Sequence, residues 1–578
     1  MMLTSNSRSA RQSEMRAASV AAPVARLADA VVSPARGRRR SGRSAAAAPE
    51  RCTRLGGEAV VTTTKLRMTK RSERRAQRKR AARSTFRVSA SAASPPIGPT
   101  FTSDDDYRAE GERALRRLTF AVCLSMVSFG CATGAIAGAL LHLESANTAL
   151  GALTAGVKSR VIAATPLGAL IGALVAGPFG DKTGRRSSIL VGNALFLLGA
   201  GLMFTAVTPT QLTCGRLCAG LAVGFSTSLC TVYIGECAPA AQRGQLSSYA
   251  PLGVTAGILA TYFVSLPLTN VAGGWRLTLA MCALPAAAQL CIKDWLVESP
   301  RWLAERGDVA GAQASLNALG QRHVEAGSLK SSFHSSPGGD PEQDEQGDSS
   351  LTSKRRGIKK RVTLASLVTE RRYRKPAAIA CGLNVAQQLC GINLVVYFAP
   401  RVLNELGFQP SVAIGFVCAI GVLQLVVGSK IGAVIDTYGR RPVALGGIAG
   451  LAAGLTMLAT SSHLSKMGLY PWAPWIAVLG ILVFRLSFSA SMAPIPYVVS
   501  AEVFPSEARS VGAAAGAAAR EVANVVVTGT FIPLVECLGA TRVWVLYVCV
   551  VCGAFFVVRA TLPETRGRTL ESMDTDGV

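Results

Sequence analysis

Charged residues are scarce in this chain. Only 16% of its 578 residues are Asp, Glu, Lys or Arg, against about 25% in a typical soluble domain. With 49% apolar residues and a mean hydropathy of +0.34, the body is too greasy for water and suits burial in a bilayer. Histidine is nearly missing. The four present (His142, His323, His334, His463) lie at the ends of apolar runs or in loops, which leaves the body without imidazole chemistry. Cysteine is present, 15 in all, but its spacing carries no chemistry. The one CxxC, Cys549-Val-Val-Cys552, sits in mid-run, where small polarisable Cys simply packs, so no metal is expected. No phosphate-cradling P-loop occurs, so no ATP use and no cofactor are expected. A soluble enzyme is excluded, because the apolar runs hold no catalytic constellation.

Acids are missing from the start of the chain. Residues 1–100 hold 22 Lys/Arg against five acids (Glu14, Asp29, Glu50, Glu58, Glu73), a net +17, whereas residues 101–578 carry 39 − 29 = +10. Residues 1–90 are rich in Arg, Ala and Ser and contain no apolar h-region, which excludes a secretory signal and reads as an organelle transit peptide or disordered basic leader. Phe86-Arg87-Val88-Ser89-Ala90-Ser91-Ala92 resembles a chloroplast processing site. The competing reading is a lipid- or nucleic-acid-binding arm with Lys70 to Arg83 as its basic core. No folded reader accompanies that charge, so nucleic acid is not an expected partner. A plastid envelope is the expected location, with the plasma membrane as the alternative.

A hydrocarbon core about 30 Å thick takes roughly 20 apolar residues per helix. Sliding that window gives twelve spans: 118–141, 161–180, 187–206, 211–234, 246–266, 275–296, 376–400, 411–434, 442–461, 475–499, 510–535 and 541–562. The fold class expected is an all-α membrane protein of twelve transmembrane helices in two six-helix halves. The halves are 118–296 and 376–562. A polar segment, 91–117, precedes them, a polar linker, 297–375, with a disordered centre separates them, and a tail, 563–578, follows. Lys182, Arg185, Arg186, Arg243, Arg301, Arg440, Arg441 and Arg509 fall on one set of loops, which places those loops and both termini on the cytoplasm-equivalent face. A monomer in the lipid bilayer is the working expectation.

The two halves repeat spaced motifs. Gly177-x-x-x-Asp181-x-x-Gly184-Arg185-Arg186 follows span two, and Gly432-x-x-x-Asp436-x-x-Gly439-Arg440-Arg441 follows span eight. Glu236-x-x-Pro239-x-x-x-Arg243 follows span four, and Glu502-x-x-Pro505-x-x-x-Arg509 follows span ten. Two matches in the same order indicate duplication. Carboxylates and arginines at helix ends form charge-assisted pairs, so these sets are expected to lock the halves together on the inner face as a gate. The plainer reading, that loop arginines fix orientation, explains the Arg but not the fixed carboxylates and glycines. Parallel six-span repeats imply halves that rock about a midplane site.

With these motifs the sequence resembles a sugar porter of the major facilitator superfamily over residues 118–572. The likeness also rests on Tyr233-Ile-Gly-Glu236, Val297-Glu298-Ser299-Pro300-Arg301-Trp302-Leu303, Gln387-Gln388-Leu389-Cys390-Gly391-Ile392-Asn393, Pro494-Ile495-Pro496 and Pro563-Glu564-Thr565-Arg566-Gly567-Arg568-Thr569-Leu570-Glu571. With its leader, the chain is most similar to the plastid-envelope glucose transporters. The resemblance implies that Gln387, Gln388 and Asn393 bond sugar hydroxyls, with Tyr397, Gln424 and Asn524 nearby, and that Glu298 and Arg301 join the gating set. Amides suit that work, offering both donor and acceptor. From the residues alone, the same amides are equally interhelical glue.

The departures from the family pattern are as informative. Ala132 stands where proton-coupled members carry an acid, so symport through that position is excluded and Arg216 lacks that partner. Pro251 replaces a sugar-contacting Gln, Ser489 a frequent Glu, and Tyr497 a frequent Trp. Arg520-Glu521 occupies a place where the family has a polar residue followed by Trp. Charges in mid-span are expensive. Arg520 and Glu521, with Arg485, therefore face a cavity, where Arg520 meets an anionic or hydroxylated substrate or Glu521 carries a proton, or they form a structural Arg–Glu pair between helices, or the span boundary is misplaced. The expected function is transport of a glucose-like hexose, a small-molecule sugar, without proton coupling. The alternatives are a proton symporter using Glu521, an organic-anion or sugar-phosphate carrier using Arg216 and Arg520, and a non-transporting sugar sensor.

Overall fold

The computed structural model describes residues 104–143, 153–239, 242–321, 324, 362–468, 470–504, 508–562 and 564. The leader, the centre of the linker and nearly all of the tail lie outside the described residues. Every regular element among the described residues is a helix.

The first half is built from α1 (Asp104–Leu143), α2 (Ala155–Thr183), α3 (Arg185–Phe204), α4 (Pro209–Cys237), α5 (Arg243–Leu268), α6 (Gly274–Ala280) and α7 (Ala283–Cys291). Short helices follow, α8 (Pro300–Glu305), α9 (Val309–Ala318) and α10 (Leu364–Thr369). The second half comprises α11 (Arg371–Leu389), α12 (Ile392–Glu405), α13 (Pro410–Tyr438), α14 (Arg440–Met467), α15 (Ala473–Ala490), α16 (Ile495–Glu502), α17 (Arg509–Leu538) and α18 (Ala540–Thr561).

Among the described residues, eleven helical segments are long and apolar enough to cross a membrane. The twelfth expected span, 275–296, is divided between α6 and α7 and so misses that length. Pro285 explains the division. It has no N–H to offer the carbonyl of Met281, and the chain tightens there, with Leu284 N donating to Met281 O at 3.2 Å. Two other boundaries move. The segment expected to precede span one is helical from Asp104, and the linker carries α8, α9 and α10.

Without a hydrophobic drive between helices in lipid, small residues decide which helices touch. Gly168 and Gly172 of α2 face Gly220 and Gly224 of α4 so closely that a Cβ on Gly220 would stand 2.2 Å from the Thr165 carbonyl oxygen. The backbones meet there because no side chain intervenes. Between the halves, α2 packs on α17 and α5 on α13. Spans two and eight correspond in the repeat, as do five and eleven, so these are one contact made twice. Ser159 Oγ donates to Gly529 O at 2.6 Å, and Tyr262 OH donates to Val396 O at 3.0 Å, both towards the face opposite the motif loops. Outward-facing Leu174, Leu198, Phe263, Val426 and Phe556 supply the apolar surface a bilayer requires.

Candidate functional site

Two helix interruptions organise the centre of the second half. α11 ends and α12 begins at Cys390-Gly391, where Gly391 takes φ 83°. That left-handed turn favours glycine. α15 ends at Ala490, and the chain restarts as α16 at Ile495, after Ser491-Met492-Ala493-Pro494. The donor that would bond Met492 O in a continuous helix belongs to Pro496, which has none. Gln387 Nε2 supplies the bond instead, at 2.6 Å, and lies 3.5 Å from Ala493 O. A carbonyl left unpaired in a membrane interior is expensive, so this amide closes the gap. Gln387 was expected at the sugar. Its nitrogen bonds across the α15–α16 break, while its buried Oε1 has no partner among the described residues.

The remaining amides converge. Asn393 Nδ2 donates to Gln388 Oε1 at 2.9 Å and to Asn524 Oδ1 at 2.6 Å. Asn524 Nδ2 donates to Glu521 Oε2 at 3.1 Å. Glu521 Oε1 accepts from Arg520 Nη2 at 2.8 Å and Nε at 3.1 Å, and Arg520 Nη1 donates to the Tyr497 hydroxyl. Gln388, Asn393, Asn524, Glu521, Arg520 and Tyr497 therefore form one polar chain across α11, α12, α16 and α17. Arg520 and Glu521 are both 4% exposed and neutralise each other. They are sequence neighbours on one helix, so the expectation of an Arg–Glu pair between helices is corrected. Tyr497 makes the interhelical link.

Gln424 and Tyr397 lie outside that chain. Gln424 Oε1 accepts from Arg485 Nε at 2.7 Å and meets part of the hydrogen-bonding demand of that mid-span arginine on α15. Tyr397 is buried one turn beyond Asn393, within electrostatic reach of Arg216 and Glu521. Arg216 forms no ion pair among the described residues, and its Nε donates to Val161 O at 2.8 Å.

The repeated loop motifs build two matching clusters. Arg185 reaches Asp181 at 2.7 Å and Glu236 at 3.1 Å. Glu298 Oε1 accepts from the backbone N–H of Arg185 at 2.8 Å and of Arg186 at 3.2 Å. Arg186 also reaches Asp294 at 3.4 Å, and Arg301 stands half-buried at the start of α8. In the second half Arg440 reaches Glu502 at 3.0 Å, and Glu564 accepts from the backbone N–H groups of Arg440 and Arg441, both at 3.0 Å. Glu298 and Glu564 thus cap α3 and α14, where the helix dipole favours a carboxylate. Gly184 and Gly439 precede those helices at φ 101° and 92°. A Cβ on Gly184 would stand 2.4 Å from Glu298 Oε2, and one on Gly439 2.7 Å from Glu564 Oε2.

Among the described contacts, the partners of each set lie within its own half, where they brace the motif loops. The side chains of Arg243, Asp436 and Arg509 lie outside the described residues. Glu564 is the residue that sequence reasoning left out of the site. Its signal was a Pro/Glu segment just beyond the last span of each half, Glu298-Ser299-Pro300 and Pro563-Glu564.

Comparison with known proteins places this architecture. The family model described as "Sugar (and other) transporter" matches residues 118–576. Myo-inositol transporter 1 of Cryptococcus neoformans var. grubii is 31% identical, over 79% of this chain and 80% of its own. The D-xylose transporter of Levilactobacillus brevis is 29% identical, over 77% and 92%, and plastidic glucose transporter 4 of Arabidopsis thaliana is 29% identical, over 81% of each. Among solved structures, the partially occluded inward-open xylose transporter XylE from E. coli aligns with a TM-score of 0.65 at 23% identity, covering 79% of this chain and all of its own.

Truncating Glu298→Ala or Glu564→Ala is expected to cost about 0.5–2 kcal/mol each, as loss of an N-cap does. Thermal unfolding of the purified protein, followed by size-exclusion chromatography, reads this. Because each cap acts within its own half, the double variant should be additive to within about 0.5 kcal/mol. Strong non-additivity would support a gate that ties the halves.

Proposed function

The chain belongs to the sugar transporter family of the major facilitator superfamily, and on that premise we propose that it carries a hexose or similar polyol by alternating access, without proton coupling. It is a multi-pass membrane protein, and its cargo is a sugar. The observation that carries the finer reading is the amide chain Gln388–Asn393–Asn524. It joins α11, α12 and α17 immediately beside the Gly391 break. Each amide offers donor and acceptor groups that hydroxyls can take over one for one. Binding there would exchange protein–protein bonds for protein–sugar bonds and shift α12, which packs on α1 of the other half.

Two features support transport without protons. Ala132, buried on α1, has no proton to exchange. Glu521, the other candidate carrier, has both oxygens taken, one by Arg520 and one by Asn524, so protonating it would strand a buried guanidinium. The named relatives handle inositol, xylose and glucose, all rich in hydroxyls, which supports a polyhydroxylated substrate without choosing among them. A sensor that binds but does not carry sugar has no supporting observation. The leader composition and the plastidic relative support a plastid envelope, and a monomer is sufficient for the mechanism.

Labelled glucose uptake into proteoliposomes tests this. The expected result is saturable uptake indifferent to an imposed proton gradient, with apparent affinity falling about tenfold in Gln388→Ala, equivalent to 1.4 kcal/mol. Gradient-driven uptake would overturn the uncoupled reading. For location, residues 1–95 fused to a fluorescent protein should enter plastids, and a diffuse or plasma-membrane signal would contradict the assignment.

A further inference from the structure

The amide chain ends on a charge. Gln388, Asn393 and Asn524 each carry an amide whose oxygen and nitrogen are close in size, so a row of amides can run with either polarity. One end of this row is closed by Glu521, which stands one turn before Asn524 on α17 and is buried. A carboxylate facing a guanidinium only accepts. It therefore dictates the rest. Asn524 turns Nδ2 to Glu521 Oε2 at 3.1 Å, which leaves Oδ1 to accept from Asn393 Nδ2 at 2.6 Å. The same Asn393 nitrogen donates to Gln388 Oε1 at 2.9 Å. Gln388 Nε2 and Asn393 Oδ1 lie outside these bonds. The row thus presents a donor at Gln388 and an acceptor at Asn393.

Arg520 holds the charge in place. Its Nε and Nη2 donate to Glu521 Oε1 at 3.1 and 2.8 Å, and its Nη1 donates to the Tyr497 hydroxyl, with the guanidinium 5.3 Å from the Tyr497 ring centre. That fork occupies Oε1 and leaves Oε2 for Asn524. A buried ion pair seldom recovers its desolvation cost as stability, and apolar residues of similar volume often serve as well. Arg520 and Glu521 are also adjacent on one helix, so the bonds between them tie no two helices together. What the pair does reach is Asn524, and through it the polarity of the whole row.

We infer that Arg520 and Glu521 are positioning residues that fix this polarity, and so set which sugar hydroxyl must donate and which must accept. The inference rests on the carrier reading above, since it concerns the same amides. A hydroxyl over Asn393 Oδ1 has to donate, and one over Gln388 Nε2 has to accept. Fluorine in place of a hydroxyl keeps a weak acceptor and loses the donor. A polarised row therefore rejects fluorine at the hydroxyl that serves Asn393 and tolerates it at the one that serves Gln388. A row free to turn over would meet fluorine with an N–H at either place.

The test is calorimetric titration of the purified full chain with glucose, xylose and myo-inositol, then with deoxyfluoro analogues of whichever binds, one hydroxyl replaced at a time. In the wild-type protein at least one analogue should bind about tenfold or more weakly than its parent, as a lost hydrogen bond with a stranded acceptor implies, and at least one should bind within about threefold. In the double variant Arg520→Met/Glu521→Met, which removes both charges together, the ratio of parent to rejected analogue should fall to about threefold or less. That ratio is the informative reading, because a purely structural loss weakens parent and analogue alike. A uniform wild-type series, with fluorine tolerated or rejected at every position, overturns the inference and leaves the sugar site standing. So does a ratio unchanged in the double variant. Absence of saturable binding by all three sugars overturns the carrier reading and this inference with it. The wild-type series decides where the double variant fails to fold.

Discussion

A group buried in a bilayer has no water to fall back on, so every carbonyl, amide and charge must find its partner inside the bundle. The rest of the structure depends on that constraint. Pro496 removes one backbone donor, Met492 O is left without its helical bond, and a glutamine from another helix is drawn in to replace it. The break in α15–α16 is thereby held open rather than repaired. Gly391 opens the facing helix by a different route, through backbone conformation. Between the two breaks lie the groups able to exchange their bonds for those of a substrate.

The same constraint separates bracing from binding. Glu298 and Glu564 each satisfy two backbone N–H groups at a helix start, and glycine at 184 and 439 lets the carboxylate approach. Those bonds are local to one half. The amide chain is different in kind: its members bond to one another, and each can take a hydroxyl instead. Backbone-to-backbone packing such as α2 on α4 fits helices closely within a half, whereas broken helices interrupt the centre of the second half.

Much of this was legible in the sequence because the strongest signals are long. Runs of some 20 apolar residues located the spans, and paired motifs located the halves. Local chemistry was harder to read. Pro285 divided the sixth span, and helix α1 began well before its apolar part, because its first turns are polar and joined by pairs such as Arg116–Glu112. Amide identity marked Gln387 and Gln388 alike, yet they face different partners, since neighbours on a helix point about 100° apart. Spacing showed that Arg185 and Glu236 had the means to pair. It carried no information on which half their partners belonged to.

The central claim is that the amides of the second half bind a polyhydroxylated substrate. Calorimetric titration of the purified protein with glucose, xylose and myo-inositol tests it most directly. The account predicts saturable binding of at least one of them, weakened about tenfold in Asn524→Ala. Binding that is unchanged in both Asn524→Ala and Asn393→Ala would contradict it.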